Sequence, residues 1–112
     1  MGCRTSSPAL DNGYRFSLET DQGRFLLDRW DSGTLTTLAS GSSPAVRGGG
    51  QPNRIELTCA GDTNAVSING TRIAAVQDGN HRSGLLWIGV ESDPARRHAI
   101  EARFDNLVVV QQ

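Results

Sequence analysis

The dipeptide Asn69-Gly70 constrains this chain more than any other pair of residues. Both accept positive φ, which a type I′ hairpin turn requires at its two central positions. It lies within Asn53 to Asp78, a stretch that reads as three consecutive antiparallel strands joined by two tight turns. Centring the first turn on Asp62-Thr63 sets Cys59 opposite Val66 and Leu57 opposite Ile68. Centring the second on Asn69-Gly70 sets Val66 opposite Ile73. Ile55, Leu57, Cys59, Val66, Ile68 and Ile73 then share one face, and Arg54, Glu56, Thr58, Ser67 and Arg72 share the other. One face is apolar and the other mostly polar, as a half-buried antiparallel sheet demands.

A second hairpin precedes the meander. Tyr14, Phe16 and Leu18 alternate with Arg15, Ser17 and Glu19 over Gly13 to Thr20, and Arg24 to Trp30 returns after Asp21-Gln22-Gly23. With Asp21-Gln22 as the loop, Leu18 pairs with Phe25 and Phe16 with Leu27. On the opposite face Glu19 meets Arg24 and Arg15 meets Asp28, and both opposite-charge pairs favour that register. Trp30 falls on the Arg15/Ser17/Asp28 face, away from the core.

The remaining pieces follow the same rhythm. Residues 1–4 read as the end of a strand, Thr5 to Asn12 as a polar loop with Pro8, and Thr34 to Leu38 as a short strand. Residues 39–52 form the longest loop. Its Gly48-Gly49-Gly50 lacks the Lys-Ser/Thr and helix of a phosphate loop, which excludes nucleotide binding of that type. Gly84 to Glu91, with Trp87, reads as a central strand buried on both faces. His81 lies in the loop from Asp78 to Ser83, and His98 in the loop from Ser92 to Ala99. Ile100 to Val110 reads as a closing strand. With 112 residues the chain makes one domain. A net charge of −1 gives no electrostatic case for nucleic acid or an anionic membrane. No stretch approaches the roughly 20 apolar residues of a membrane span, so no membrane insertion is expected, and residues 1–13 lack the apolar core of a secretory signal.

Cys3 and Cys59 fit neither a CxxC redox pair nor a zinc cluster. They are either one disulfide of an exported protein or two buried thiols. The start, Met1 to Ser6, matches an N-myristoylation pattern with an adjacent cysteine.

The order of the pieces resembles the concanavalin A-like lectin/glucanase superfamily, in the branch of laminin G-like and 3-keto-disaccharide hydrolase-like domains. The words that carry it are Cys3-Arg4, Asn12 to Phe16, Gln51 to Arg54, Cys59-Ala60-Gly61, Val66 to Gly70, Val76-Gln77-Asp78, Ser83-Gly84 and Phe104 to Val109. The resemblance implies an all-β antiparallel jelly-roll β-sandwich over residues 1–112, lacking its first strands. It also implies further strands or domains upstream, and an extracellular or cell-surface setting in an exported bacterial protein. It places Cys3 inside a strand, which argues against acylation of the N-terminus.

Chemistry is harder to find. Glycosidases need two carboxylates about 5–9.5 Å apart. The Glu-x-Asp-x-Glu-like strand of glucanase relatives has no counterpart in this sequence. Glu19 and Asp28 each face an arginine in the register above, which marks them as structural. Glu101 and Asp105 are the other pair, with Asp105 at a bend. No Gly-x-Ser-x-Gly elbow accompanies His81 or His98. Asn69-Gly70-Thr71 is a glycosylation sequon, but the turn already explains Asn69. Lectin-like jelly rolls often hold calcium through loop Asp and Asn. Asp105, Asn106, Asp78 and Asn80 are suitable ligands, or the Asp-Asn step shapes the last strand instead. No other cofactor is implied.

For sugar binding, an aromatic with planar polar groups beside it is the useful unit. Trp30 with Arg15, Ser17 and Asp28 meets that description, unless Trp30 covers the sheet edge or packs against the missing strands; Tyr14 and Trp87 read as core. The expectation is a non-catalytic module that binds a glycan or a cell-surface partner. A fragment of a glycoside or 3-keto-disaccharide hydrolase-like enzyme and a structural spacer are the other readings.

Overall fold

A computed structural model describes residues 1–6, 11–89 and 102–110. The described residues are all-β, without a helix. Eight strands run β1 Gly2–Thr5, β2 Gly13–Glu19, β3 Arg24–Asp31, β4 Thr34–Ser42, β5 Ile55–Ala60, β6 Thr63–Ile68, β7 Thr71–Gln77 and β8 Leu85–Trp87. They form two antiparallel sheets. One has five strands in the order β4-β3-β2-β1-β8, the other three in the order β5-β6-β7. The sheets face each other in a sandwich. Phe16, Phe25 and Leu27 from the first meet Val66, Ile68 and Ala74 from the second in one buried cluster.

The β2–β3 hairpin has the register that its charges ask for. Phe16 pairs with Leu27, Leu18 with Phe25, Glu19 with Arg24 and Arg15 with Asp28. Tyr14, Phe16 and Leu27 are buried, while Trp30 stands on the opposite face beside Arg15.

The meander keeps its faces but not its full register. Cys59 pairs with Asn64, Leu57 with Val66 and Ile55 with Ile68, instead of Cys59 with Val66 and Leu57 with Ile68. The turn sits one residue earlier than expected, because Gly61 takes the left-handed position, with φ of 57°. Moving a turn centre by one residue moves the pairing by two, so every side chain stays on its own face.

At Asn69-Gly70 both residues have positive φ, 50° and 85°, as a type I′ turn needs. Ile68 pairs with Thr71 and Ser67 with Arg72. Then a bulge intervenes, and Val66 opposes Ala74 rather than Ile73. A matching bulge in β4 lets Leu27 oppose Ala39 and Asp28 oppose Thr37. Each bulge delivers two successive apolar residues, Leu38 with Ala39 and Ile73 with Ala74, to the core. Alternation alone cannot show this, since a bulge breaks the period of two. β4 runs on to Ser42, four residues past its expected end.

The largest departure is at Gly84 to Glu91. Only Leu85–Trp87 is strand among the described residues there, and it lies at the sheet edge, bonded to β1. Leu85 and Leu86 are 52% and 57% exposed, and Trp87 is half-buried rather than core. The reason is coverage. The three-stranded sheet reaches from β5, against β1, to β7, against β4; β8 lies beyond it. Ala102 to Val110 is likewise in no strand. The expected loop at 92–99 with His98, and Glu101 and Pro8, lie outside the described residues.

Two covalent and polar ties join the sheets. Cys3 of β1 is bonded to Cys59 of β5, with Cα atoms 6.7 Å apart. Cys3 is buried and carries no free thiol for acylation. Next to it, the Arg4 guanidinium donates to the carbonyls of Cys59 (3.2 Å), Gly61 (2.5 Å) and His81 (3.1 Å). Arg4 has φ of 52°, and this kink within β1 coincides with the irregular β1–β8 register.

Candidate functional site: the cavity between Trp30 and Trp87

Trp30 and Trp87 line one cavity of about 140 Å³ on the outer face of the five-stranded sheet, together with Arg15, Thr5, Asn12 and Gly13. Each wall has a local cause. Trp30 follows Asp28 by two residues along β3, so both share a face. Trp87 is opposite Gly2 in the β1–β8 pairing. A Cβ at Gly2 would overlap the Trp87 indole. The missing side chain is what lets that ring lie against β1. Asn12 is fixed from behind, with its Oδ1 accepting from the Ser32 N–H at 2.9 Å. The backbone N–H of Gly33 also donates to the Asp11 carbonyl at 2.9 Å. The turn after β3 is thereby tied to the loop before β2.

Arg15 is held on two sides. Its guanidinium carbon lies 5.1 Å from the Trp30 ring centroid, within cation–π range. Its Nη2 lies 3.5 Å from Asp28 Oδ2. Asp28 is buried and also accepts from the Thr37 hydroxyl at 3.1 Å. A planar cation stacked on an indole gives a surface with one apolar face and several N–H donors at its edge. Chemically, that surface can stack the C–H face of a ring and donate hydrogen bonds to its hydroxyls.

Of the four residues expected at this site, the structure sets Arg15 against both Trp30 and Asp28. Ser17 shares their sheet face but lies along the strand, beside Glu19 and Arg24, and does not line the cavity. Trp87 and Gly2 were missed. Trp87 sits in an apolar run that resembles a buried strand, and nothing local in the sequence shows that its neighbour across the ladder is a glycine.

A second polar assembly ties the sheets together at the 78–84 loop. The Tyr14 hydroxyl donates to Asp78 Oδ1 at 2.6 Å and accepts from the His81 N–H at 3.3 Å. Arg29 pairs with Asp78 through Nη1 and with Asp31 through Nε, the latter at 2.7 Å. His81 Nε2 lies 2.8 Å from both the Trp30 carbonyl and Asp31 Oδ1. Both partners are acceptors, so that nitrogen carries the proton. Burial alone would raise the Asp78 carboxyl. Hydrogen bonds from Tyr14, the Asn80 N–H and Arg29 outweigh burial and hold it below the ordinary carboxylate range. Arg29 above all, then His81, lowers Asp31. Burial, then the bond to Asp78, raises Tyr14. These side chains bond one another and so clamp the 78–84 loop to β2 and β3.

The residues expected as calcium ligands have other partners in the structure. Asp78 is occupied by Tyr14, Arg29 and the Asn80 N–H. Asp105 accepts from its neighbour Asn106 at 3.4 Å on an exposed stretch. Among the described residues no three His, Cys, Asp or Glu side chains gather as a metal site. The sequon asparagine is used structurally: Asn69 Nδ2 donates to the Ala45 carbonyl at 2.7 Å and to Asn53 Oδ1 at 2.9 Å.

Comparison with protein-family models, with curated proteins and with solved structures gives no match for this chain.

Proposed function

We propose that this chain is a non-catalytic binding module, a concanavalin A-like jelly roll of an exported protein, which holds a glycan in the cavity between Trp30 and Trp87. The observation that carries the reading is the pairing of two indoles and a stacked guanidinium around one cavity of about 140 Å³. Carbohydrate recognition needs these components: a flat apolar surface for the ring face and planar donors for the hydroxyls. The sequence resemblance to lectin-like domains points the same way. An oxidised Cys3–Cys59 pair suits an extracellular or cell-surface location, where disulfides persist.

The carboxylates favour binding over hydrolysis. Asp28, the carboxylate paired with Arg15 of the cavity wall, is buried and held by Arg15 and Thr37. A glycosidase needs a second carboxyl within about 5–9.5 Å across the sugar. The cavity lining contains no Asp or Glu.

A glycan array probed with the wild-type chain and with Trp30→Ala tests the proposal. Binding to one group of oligosaccharides by the wild type, lost in the variant, is the expected result. An array on which the wild type binds nothing overturns it.

A further inference from the structure

The charges around the cavity narrow the class of sugar that it can hold. Among the described residues, Arg15 is the charged residue of the lining. Its guanidinium is matched by Asp28, whose Oδ2 lies 3.5 Å from Nη2. A second carboxylate stands behind Asn12: Asp11 Oδ1 accepts from Asn12 Nδ2 at 3.4 Å and from the Ser6 hydroxyl at 2.9 Å. Asp78, on the Tyr14 hydroxyl, is paired with Arg29. The Thr5 hydroxyl gives its proton to the Cys3 carbonyl at 3.2 Å, so it offers a ligand lone pairs rather than a donor.

These contacts disfavour an anion. A carboxylate entering between two indoles gives up hydration, and a matched ion pair returns no net charge to offset that loss. Asp11 adds repulsion. A sugar hydroxyl meets neither penalty. It is uncharged, donates to an oxygen such as that of Thr5, and accepts from a guanidinium N–H.

We infer that the cavity selects neutral sugar rings over anionic ones, and that Asp28 sets this selectivity by cancelling the charge of Arg15. The inference rests on the glycan reading of the cavity. Asp28 is 1% exposed and shares its other oxygen with Thr37, so it acts on the ligand through Arg15 and is a positioning residue.

Titration of gluco-, galacto- and manno-oligosaccharides, each beside its C6-oxidised uronate counterpart of equal length and linkage, tests this on the full chain. The readout is the indole N–H signals of Trp30 and Trp87. The wild type is expected to bind a neutral sugar at least tenfold more tightly than the matching uronate. Asp28→Asn keeps the shape and removes the charge: the amide oxygen faces Arg15, and the amide nitrogen donates to the Thr37 hydroxyl. In that variant the neutral-to-uronate ratio is expected to fall at least tenfold, and uronate binding is expected to weaken as added salt screens Arg15. A wild type that binds uronates as tightly as neutral sugars overturns the selectivity and leaves the glycan reading in place. So does a folded Asp28→Asn with an unchanged ratio. Indole signals unmoved by either set overturn both. The wild-type comparison decides the selectivity even where Asp28→Asn fails to fold.

Discussion

The hydroxyl of Tyr14 donates to the carboxylate of Asp78 at 2.6 Å, from β2 of one sheet to the end of β7 in the other. Arg29 reaches the same carboxylate from β3. One acid thus gathers donors from two neighbouring strands and fixes the loop that carries His81.

This contact and its neighbours contribute stability that is lost at both ends of the pH range. Asp78 and Asp31 are held below the ordinary carboxylate value in the folded chain. Their contribution is present above the unfolded value of about 4 and is lost as pH falls through the lower folded values. Tyr14 is raised, so its contribution is present below the unfolded value of about 10 and is lost as pH rises through the folded one. Urea denaturation across pH should therefore show stability falling at both ends. Tyr14→Phe should remove the tyrosine part of the alkaline loss. It should cost about 1–3 kcal/mol at neutral pH, because Asp78 keeps its burial but loses a donor.

The Cys3–Cys59 bond closes 56 residues of sequence separation. The chain-entropy account gives about 4 kcal/mol for a loop of that length. Cys3→Ser with Cys59→Ser, or reduction with dithiothreitol, should lower the denaturant midpoint accordingly. An unchanged midpoint would show that Arg4 and the core hold the sheets together unaided.

Asn69 has two separable duties. Its positive φ makes the turn, and its side chain bonds Ala45, Asn53 and the Arg54 N–H. Asn69→Gly keeps the first and loses the second, and should cost about 1–2 kcal/mol. Asn69→Ala loses both, with about 1–2 kcal/mol more for a Cβ in the left-handed region. The order Asn, Gly, Ala in denaturant midpoint checks the division.

These residues also show what the sequence could convey. Asn69-Gly70, the alternation of Tyr14, Phe16 and Leu18, and the Arg15–Asp28 pair are local signals, and each led to the right strand and face. The Arg15–Trp30 half of the cavity came with them, because strand parity places both on one face. Trp87 did not. Its position depends on Gly2, eighty-five residues away in sequence, and on a three-stranded sheet that stops short of β8. The bulges at Leu38 and Ile73 escaped for a related reason: both residues pack against the core out of the strand's period of two, and the alternation pattern carries no trace of it. The Tyr14–Asp78–Arg29–Asp31–His81 chain joins three separate stretches, and no spacing of residues announces it.

The chain has two tryptophans, Trp30 and Trp87, so a nitrogen–proton correlation spectrum has two indole N–H signals, both from the cavity. Titrating pooled gluco-, galacto- and manno-oligosaccharides into the labelled protein reads the site directly. The account predicts saturable shifts of both indole signals with at least one pool, and an affinity at least tenfold weaker in Trp30→Ala, about 1.4 kcal/mol or more. Indole signals that stay in place through every titration, or binding that shifts other residues and survives Trp30→Ala, would contradict it.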